Sequence, residues 1–270
     1  MEILAVYNFK GGVGKTATAV NLSYLSAREG ARTLVWDLDP QGAATYTFRI
    51  RPKLVGGVHG MLGGGAGLAA SLRATDFEGL DLLPADFSCR DLDAVLQGAT
   101  DPGQALRDLI GPLEGEYDRV ILDCAPSISN LSEGIFRVAD TLLAPTLPTP
   151  LSLRTLARLM KHLRASGLER SRVLAFLGMV DRRKALHRNI EAFVAREGLG
   201  FLTTRIPYSS SVEQMATQRL PVCVIAPADR ASRAYEALWA EVQSSPRRPS
   251  GVGPSSKALK GLVRDVAGRV

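Results

Sequence analysis

The chain has 270 residues, 46% hydrophobic and 22% charged, enough for one large core, and no apolar run nears the ~20 residues of a membrane-spanning helix. Met1 to Tyr7 lack the basic stretch, apolar run and cleavage site of a secretion signal; Cys89, Cys124 and Cys223 are scattered and odd in number, which excludes a disulfide framework or zinc site and suits a soluble protein of a reducing cytoplasm. Nearly all of the formal charge of +6 lies after residue 243, where six Lys/Arg face one Asp, so the basic balance speaks of anionic partners for the tail more than for the body.

Along the chain, β-branched apolar runs alternate with helical patterns. This is the arrangement of βαβ units and of an α/β fold, a doubly covered, mostly parallel twisted sheet. Residues 2–9 read as the first strand, 15–28 as a helix and 31–39 as the second strand. The stretch 51–70, with Gly56-Gly57 and Gly63-Gly64-Gly65, holds too many glycines for a continuous helix and reads as a mobile loop. Further strands are expected at 80–84, 119–124, 141–145, 173–180 and 201–206, and helices at 88–96, 102–110, 151–166, 185–196, 211–216 and 229–243. These make one domain, 1–243. Residues 244–256, rich in Ser, Pro and Gly, read as a disordered linker. In 257–270, Leu259, Leu262, Val263 and Val266 recur at helical spacing opposite Lys260, Arg264 and Arg269, a short basic amphipathic tail.

Three segments carry chemistry. Lys10-Gly11-Gly12-Val13-Gly14-Lys15-Thr16 joins the first strand to the first helix, so backbone N–H groups and the positive helix end converge on one point, as in a P-loop for polyphosphate. Lys15 would reach the β- and γ-phosphates and the Thr16 hydroxyl a magnesium ion. The loop departs from the general G-x-x-x-x-G-K-[ST] form, because Phe9 holds the first glycine position and Lys10 follows it. The second strand ends in Asp37-Leu38-Asp39-Pro40-Gln41-Gly42, with Asp37 and Asp39 on one face at the carboxyl edge of the sheet, where ligands of such sheets collect. Val120-Ile121-Leu122-Asp123 is an apolar strand ending in a carboxylate, the form of a Walker B metal ligand.

Together these motifs resemble the ParA family of DNA-partition and cargo-positioning ATPases, over roughly residues 1–243. The Lys10 form of the loop is the deviant P-loop shared by ParA, MinD and nitrogenase iron proteins. The resemblance implies a P-loop NTPase fold, ATP and Mg²⁺ as cofactors, and a homodimer when ATP-bound, in which Lys10 reaches the partner's nucleotide. It implies catalytic roles for Lys10, Lys15 and Asp39, the last positioning the attacking water, with Asp37 tying down its loop. Nucleotide contacts would come from Gly11, Gly12, Val13, Gly14, Lys15, Thr16, Ala17 and Pro207, and metal ligation from Thr16 and Asp123. The family has D-x-P-P-S after the Walker B aspartate, and Ala125 replaces its first proline, which alters loop stiffness more than metal binding.

The function this implies is a slow switch that binds DNA nonspecifically, positions a cargo and is stimulated by a ParB-like partner, in the cytoplasm and on the nucleoid. Candidate DNA phosphate contacts are Arg182, Arg183, Lys184, Arg188, Arg219, Arg230 and Arg233. The helix-turn-helix extension of longer plasmid ParA proteins is absent, so operator binding is not expected. The alternative is a MinD-like membrane-surface ATPase anchored by 257–270, against which stands the lack of Trp or Phe there. A metabolic P-loop enzyme is disfavoured: Cys124 has no companion for an iron–sulfur cluster and no Tyr follows Tyr235.

Overall fold

A computed structural model describes residues 1–62, 65–98, 101–168, 172–197, 199–245 and 261. Its strands are β1 (Glu2–Val6), β2 (Thr33–Asp37), β3 (Arg73–Ala74), β4 (Leu80–Leu83), β5 (Arg119–Asp123), β6 (Thr141–Thr146), β7 (Arg172–Val180) and β8 (Phe201–Pro207). They form one sheet in the order β3-β4-β2-β5-β1-β6-β7-β8, parallel throughout except for β3 against β4. β1 therefore runs between β5 and β6 in the middle of the sheet.

Successive strand residues face opposite sides, and both sides are covered, which is why the strands read as unbroken apolar runs. Ala5, Leu34, Trp36, Val120 and Leu122 point into one core, and Leu4, Val6, Val35 and Ile121 into the other, all of them 4% exposed or less. Each buried Leu, Val or Ile among them stabilises the fold by ~1.5–3 kcal/mol. The first core is closed by α3 (Gly57–Leu62), α4 (Gly65–Ser71), α5 (Leu92–Gln97), α6 (Pro102–Ile110), α7 (Asn130–Val138), α8 (Pro150–Ala165) and α9 (Ala185–Arg196). The second is closed by α1 (Lys15–Arg28), α2 (Ala43–Thr47), α10 (Ser210–Gln218), α11 (Val222–Ile225) and α12 (Arg230–Ser244).

Local chemistry sets the helix starts. Asp101 and Thr149 each cap a helix whose first residue is proline, their side chains accepting the free N–H groups of Gly103 and Ser152. The outer edge at β8 is closed from within the chain. Glu241 of α12 accepts the N–H groups of Thr203 and Thr204, while Arg205 donates to the carbonyls of Leu202, Thr203 and Thr204. An edge so occupied offers little to a foreign strand.

The expected strands all form; the short elements β3, α2 and α11 were not expected, and three larger differences from the sequence reading stand beside them. The 51–70 stretch is not a loop: it holds α3 and α4, with Val58, Met61 and Leu68 at most 1% exposed. The glycines there serve a close backbone crossing, since a Cβ on Gly67 would lie 2.0 Å from the Gly60 carbonyl oxygen. α7 was not foreseen. It is capped by Ser129 and Ser132, and its interior Gly134 faces the Pro102 carbonyl, where a Cβ would stand at 2.9 Å. The third difference is β1, which ends at Val6 because Tyr7 to Gly14 leave the strand for the phosphate loop. The linker and tail expected over 244–270 fall outside the described residues apart from Ser244, Ser245 and Gly261.

Gly67→Ala should therefore cost ~1–3 kcal/mol from overpacking. Gly111→Ala, where a Cβ meets nothing within 4 Å, should be neutral. Thermal midpoints by circular dichroism compare the two, and an unchanged midpoint for Gly67→Ala would contradict the close crossing.

Candidate nucleotide-binding site

At the carboxyl edge of the central strands, the chain from Lys10 to Thr16 wraps around an anion-sized point. Gly12 and Gly14 take φ of 68° and 91°, backbone that side chains strain to adopt, and Gly14 caps α1. Asn8 holds the loop's origin. Its Nδ2 donates to the Pro145 carbonyl at 2.8 Å, and its Oδ1 accepts the Lys10 N–H at 3.0 Å.

The Lys15 side chain is folded over the loop, Nζ donating to the Lys10 carbonyl at 3.3 Å, and the residue is 7% exposed. Burial holds its pKa below the usual lysine value, opposed by the charges of Asp123, Cys124 and Asp39. Lys10 enters no ion pair among the described residues.

Opposite the loop, β2 and β5 end side by side, Asp37 in register with Asp123. Both are fully buried. Asp37 is well served: one oxygen accepts the Thr45 N–H and hydroxyl at 2.8 and 2.7 Å, the other the Asp39 N–H at 3.2 Å. Burial pushes its pKa up to about 6 against those bonds. The Thr45 hydroxyl in turn accepts the Ala85 N–H, so Asp37 anchors the 38–45 segment to β2 and to the exit of β4. Asp39 is half-buried, its carboxylate accepting the Gln41 N–H.

Neither oxygen of Asp123 has a hydrogen-bond partner. Burial first, and then the Asp37 charge, raise its pKa well above the carboxylate range, while Thr16 and Lys15 act to lower it. A buried carboxylate with free lone pairs beside a threonine hydroxyl is a hard-oxygen donor set, which fits a magnesium ion that keeps most of its own waters. No group of three or more acidic, His or Cys side chains able to cage a metal occurs among the described residues.

Beside the loop lies an apolar cavity of about 110 Å³ lined by Val13, Ala17, Phe176, Met179, Pro207 and Tyr208, among others. Of the expected nucleotide contacts, Val13, Gly14, Ala17 and Pro207 line it, whereas Gly11, Gly12 and Thr16 belong to the phosphate loop. Met179, at the end of β7, also lines it. A shift in the β7–β8 pairing gives it φ of 52°, a conformation costing ~1–3 kcal/mol and concentrated at functional sites.

Next to this cavity, and sharing Pro207, Tyr208 and Ser209 with it, is an open groove of about 630 Å³. Arg182, Arg183 and Arg230 meet there, joined by Arg205, which the sequence did not single out and whose buried Nε lies 4.0 Å from the Glu191 carboxylate without a hydrogen bond. Arg183 pairs with Asp181 and Arg182 with Glu191. Arg188 props the same turn from below, donating to the Arg182 and Arg183 carbonyls, and exposed Lys184 extends it. Arg233 is exposed on α12, one turn beyond Arg230. Arg219 is not among the groove residues: it caps α10, donates to the Tyr46 carbonyl and lies 4.5 Å from the Tyr46 ring centre.

A parallel sheet with a glycine phosphate loop at its switch point and a buried carboxylate opposite defines a P-loop nucleoside-triphosphatase. A family model described as an AAA domain matches residues 1–172. The chromosome partitioning protein ParA of Caulobacter vibrioides is 31% identical over 255 residues, 92% of this chain and 96% of that protein. The chromosome-partitioning ATPase Soj of Thermus thermophilus is 35% identical over 247 residues, 89% and 95%. Among solved structures, cobyrinic acid a,c-diamide synthase of Mycobacterium smegmatis, with ATP analogue and magnesium bound, is 28% identical with a TM-score of 0.74, covering 92% of this chain and 98% of that one. The chain belongs to this AAA-domain family and, within it, to the ParA/Soj group of P-loop ATPases.

Thr45→Val should destabilise the protein by ~2–4 kcal/mol, because it strips a hydrogen bond from a buried carboxylate and leaves the Ala85 N–H unpaired. Thr45→Ser keeps the hydroxyl and should recover most of that in urea unfolding; equal losses would show that packing, not the hydroxyl, matters.

Proposed function

We propose that the protein is an ATP-dependent dimerising switch that binds DNA nonspecifically and segregates or positions a cargo on the nucleoid, hydrolysing ATP slowly and answering to a ParB-like activator. The observation that carries this reading is the pairing of a Lys10-type phosphate loop with the unpartnered Asp123 carboxylate, in a chain similar to partition ATPases over nine-tenths of its length.

ATP would lay its base in the cavity bounded by Val13, Ala17, Met179 and Pro207 and its phosphates on the N–H groups of Gly11 to Thr16. Lys15 is already desolvated and needs only to exchange the Lys10 carbonyl for phosphate oxygens. Thr16 and Asp123 would hold Mg²⁺, which when bound neutralises charge on the β- and γ-phosphates. Asp39 is held at its backbone by Asp37 and would orient the attacking water. Lys10, in no ion pair among the described residues, would meet the partner subunit's nucleotide and stabilise the charge on the transferred group. Among the described residues no His or Glu is set at the phosphate loop to act as a strong base, which suits a timer.

The groove of Arg182, Arg183 and Arg230, with Lys184 and Arg233 beside it, supports contact with DNA phosphates. Arg188 and Arg219 serve this reading indirectly, by holding the local backbone. For the membrane alternative, no helix among the described residues is long and apolar enough to cross a bilayer, and the tail that would lie on one is outside those residues.

Light scattering, ATP turnover and plasmid cosedimentation with ATP or ADP test the reading. Lys15→Ala should lose nucleotide binding; Asp39→Ala should form an ATP dimer with turnover down about tenfold or more; Lys10→Ala should bind ATP but remain monomeric and off DNA. Dimerisation and DNA binding indifferent to nucleotide would refute it.

A further inference from the structure

We infer that Tyr7 is a positioning residue for hydrolysis, its hydroxyl pinning the loop that follows Asp123 to the strand that leads into the phosphate loop. The inference rests on the ATPase reading above.

Tyr7 is 1% exposed, and its hydroxyl donates to the Ser127 carbonyl at 2.5 Å, across 120 residues of sequence. The ring cannot turn away. Phe9 meets it edge-on with centres 5.4 Å apart, and Phe136 of α7 does so at 4.8 Å. Both of these rings also meet His162 of α8, whose Nε2 is 2.8 Å from Glu133 of α7. The hydroxyl thus sits on a rigid platform built from β1, α7 and α8.

The loop it holds has little else to hold it. Pro126, Ser127 and Ile128 are exposed, the last at 57%. The ends of the segment are fixed, Cys124 donating to the Val6 carbonyl and Ser129 capping α7. Between them, the bond from Tyr7 is the one long-range hydrogen bond among the described residues. Asn8, the next residue, ties the same stretch of chain to Pro145 on the other side. Consecutive residues leaving β1 therefore fasten the root of the phosphate loop to the exits of both neighbouring strands. Freed of the Tyr7 bond, 125–128 would spread over many backbone states beside the carboxylate and the phosphate loop, and the fraction of molecules with a reactive arrangement would fall.

Tyr7→Phe removes only the hydroxyl. Ala125→Pro can restore rigidity by another route: Ala125 precedes Pro126 and so is biased to extended backbone, and its N–H donates no hydrogen bond among the described residues. In the full chain, Tyr7→Phe should leave the Kd for a fluorescent ATP analogue and the KM within about twofold of wild type and lower kcat by about five- to tenfold. Amide hydrogen exchange at Ser127 to Ser129 should quicken, and Tyr7→Phe with Ala125→Pro should regain most of kcat. Unchanged kcat and exchange in Tyr7→Phe would overturn the inference. So would a kcat loss accompanied by equal loss of nucleotide affinity and not recovered by the proline. If wild type binds ATP but does not turn it over, the ATPase reading fails separately, and exchange at Ser127 to Ser129 still decides whether Tyr7 holds the loop.

Discussion

Two carboxylates buried side by side, Asp37 and Asp123 at the ends of adjacent strands, are the constraint to which the rest of the site answers. Like charges in a low-dielectric interior repel, and burial alone already disfavours each. The fold settles one half of the conflict internally: Asp37 receives three hydrogen bonds, two of them from Thr45. It leaves the other half open, since Asp123 has none and the nearest compensating cation, Lys15, is turned to a backbone carbonyl. On the reading proposed above, a polyphosphate carrying a divalent cation would supply what is missing on both sides, positive charge to Asp123 and oxygens to Lys15. The ligand would then complete the electrostatics of the core as well as fill a surface site, and its free energy of binding would add to that of folding.

The segments that leave these carboxylates are consequently the ones placed to respond. Asp37 controls 38–45 through Thr45, and Asp123 leads into 124–129. Both emerge at the carboxyl edge of a sheet whose remaining parts are well packed: cores on both faces, a glycine at 67 that lets α4 close on α3, and an edge strand whose polar groups are taken up by Glu241 and Arg205.

Much of this was legible in the residues. The phosphate loop, the DxDPQG segment and the apolar strand ending in Asp123 each carry their meaning in consecutive positions, and the parallel sheet follows from apolar runs separated by helical patterns. What was not legible depends on contacts distant in sequence. Glycines at 56–67 signal a loop by propensity, yet Gly67 is needed for two helices to touch and Gly60 for the chain to clear the Val55 carbonyl. α7 is short, with a glycine inside and a serine cap, so its pattern is weak until α6 is seen to pack on it. Arg205 reads as one more surface arginine, and only the turn of β8 buries it in the groove. Nor does a hydropathy pattern show the positive φ of Met179 or the partner of Tyr7, because both are set by strands that pair across more than twenty residues.

The base cavity and the arginine groove share the backbone at Pro207 to Ser209, and the groove begins at Val180, directly after strained Met179. On the reading proposed above, a nucleotide pressing on Met179 and Pro207 would act on the segments that carry Arg182, Arg183 and, through the Tyr208 carbonyl, Arg230. Two of those arginines, exposed themselves, are engaged with the largely covered carboxylates of Asp181 and Glu191, so their guanidinium groups are open to phosphate from the solvent side. On the reading proposed above, nucleotide state and DNA affinity need no long relay. They are linked because one turn of backbone forms the wall of one site and the floor of the other.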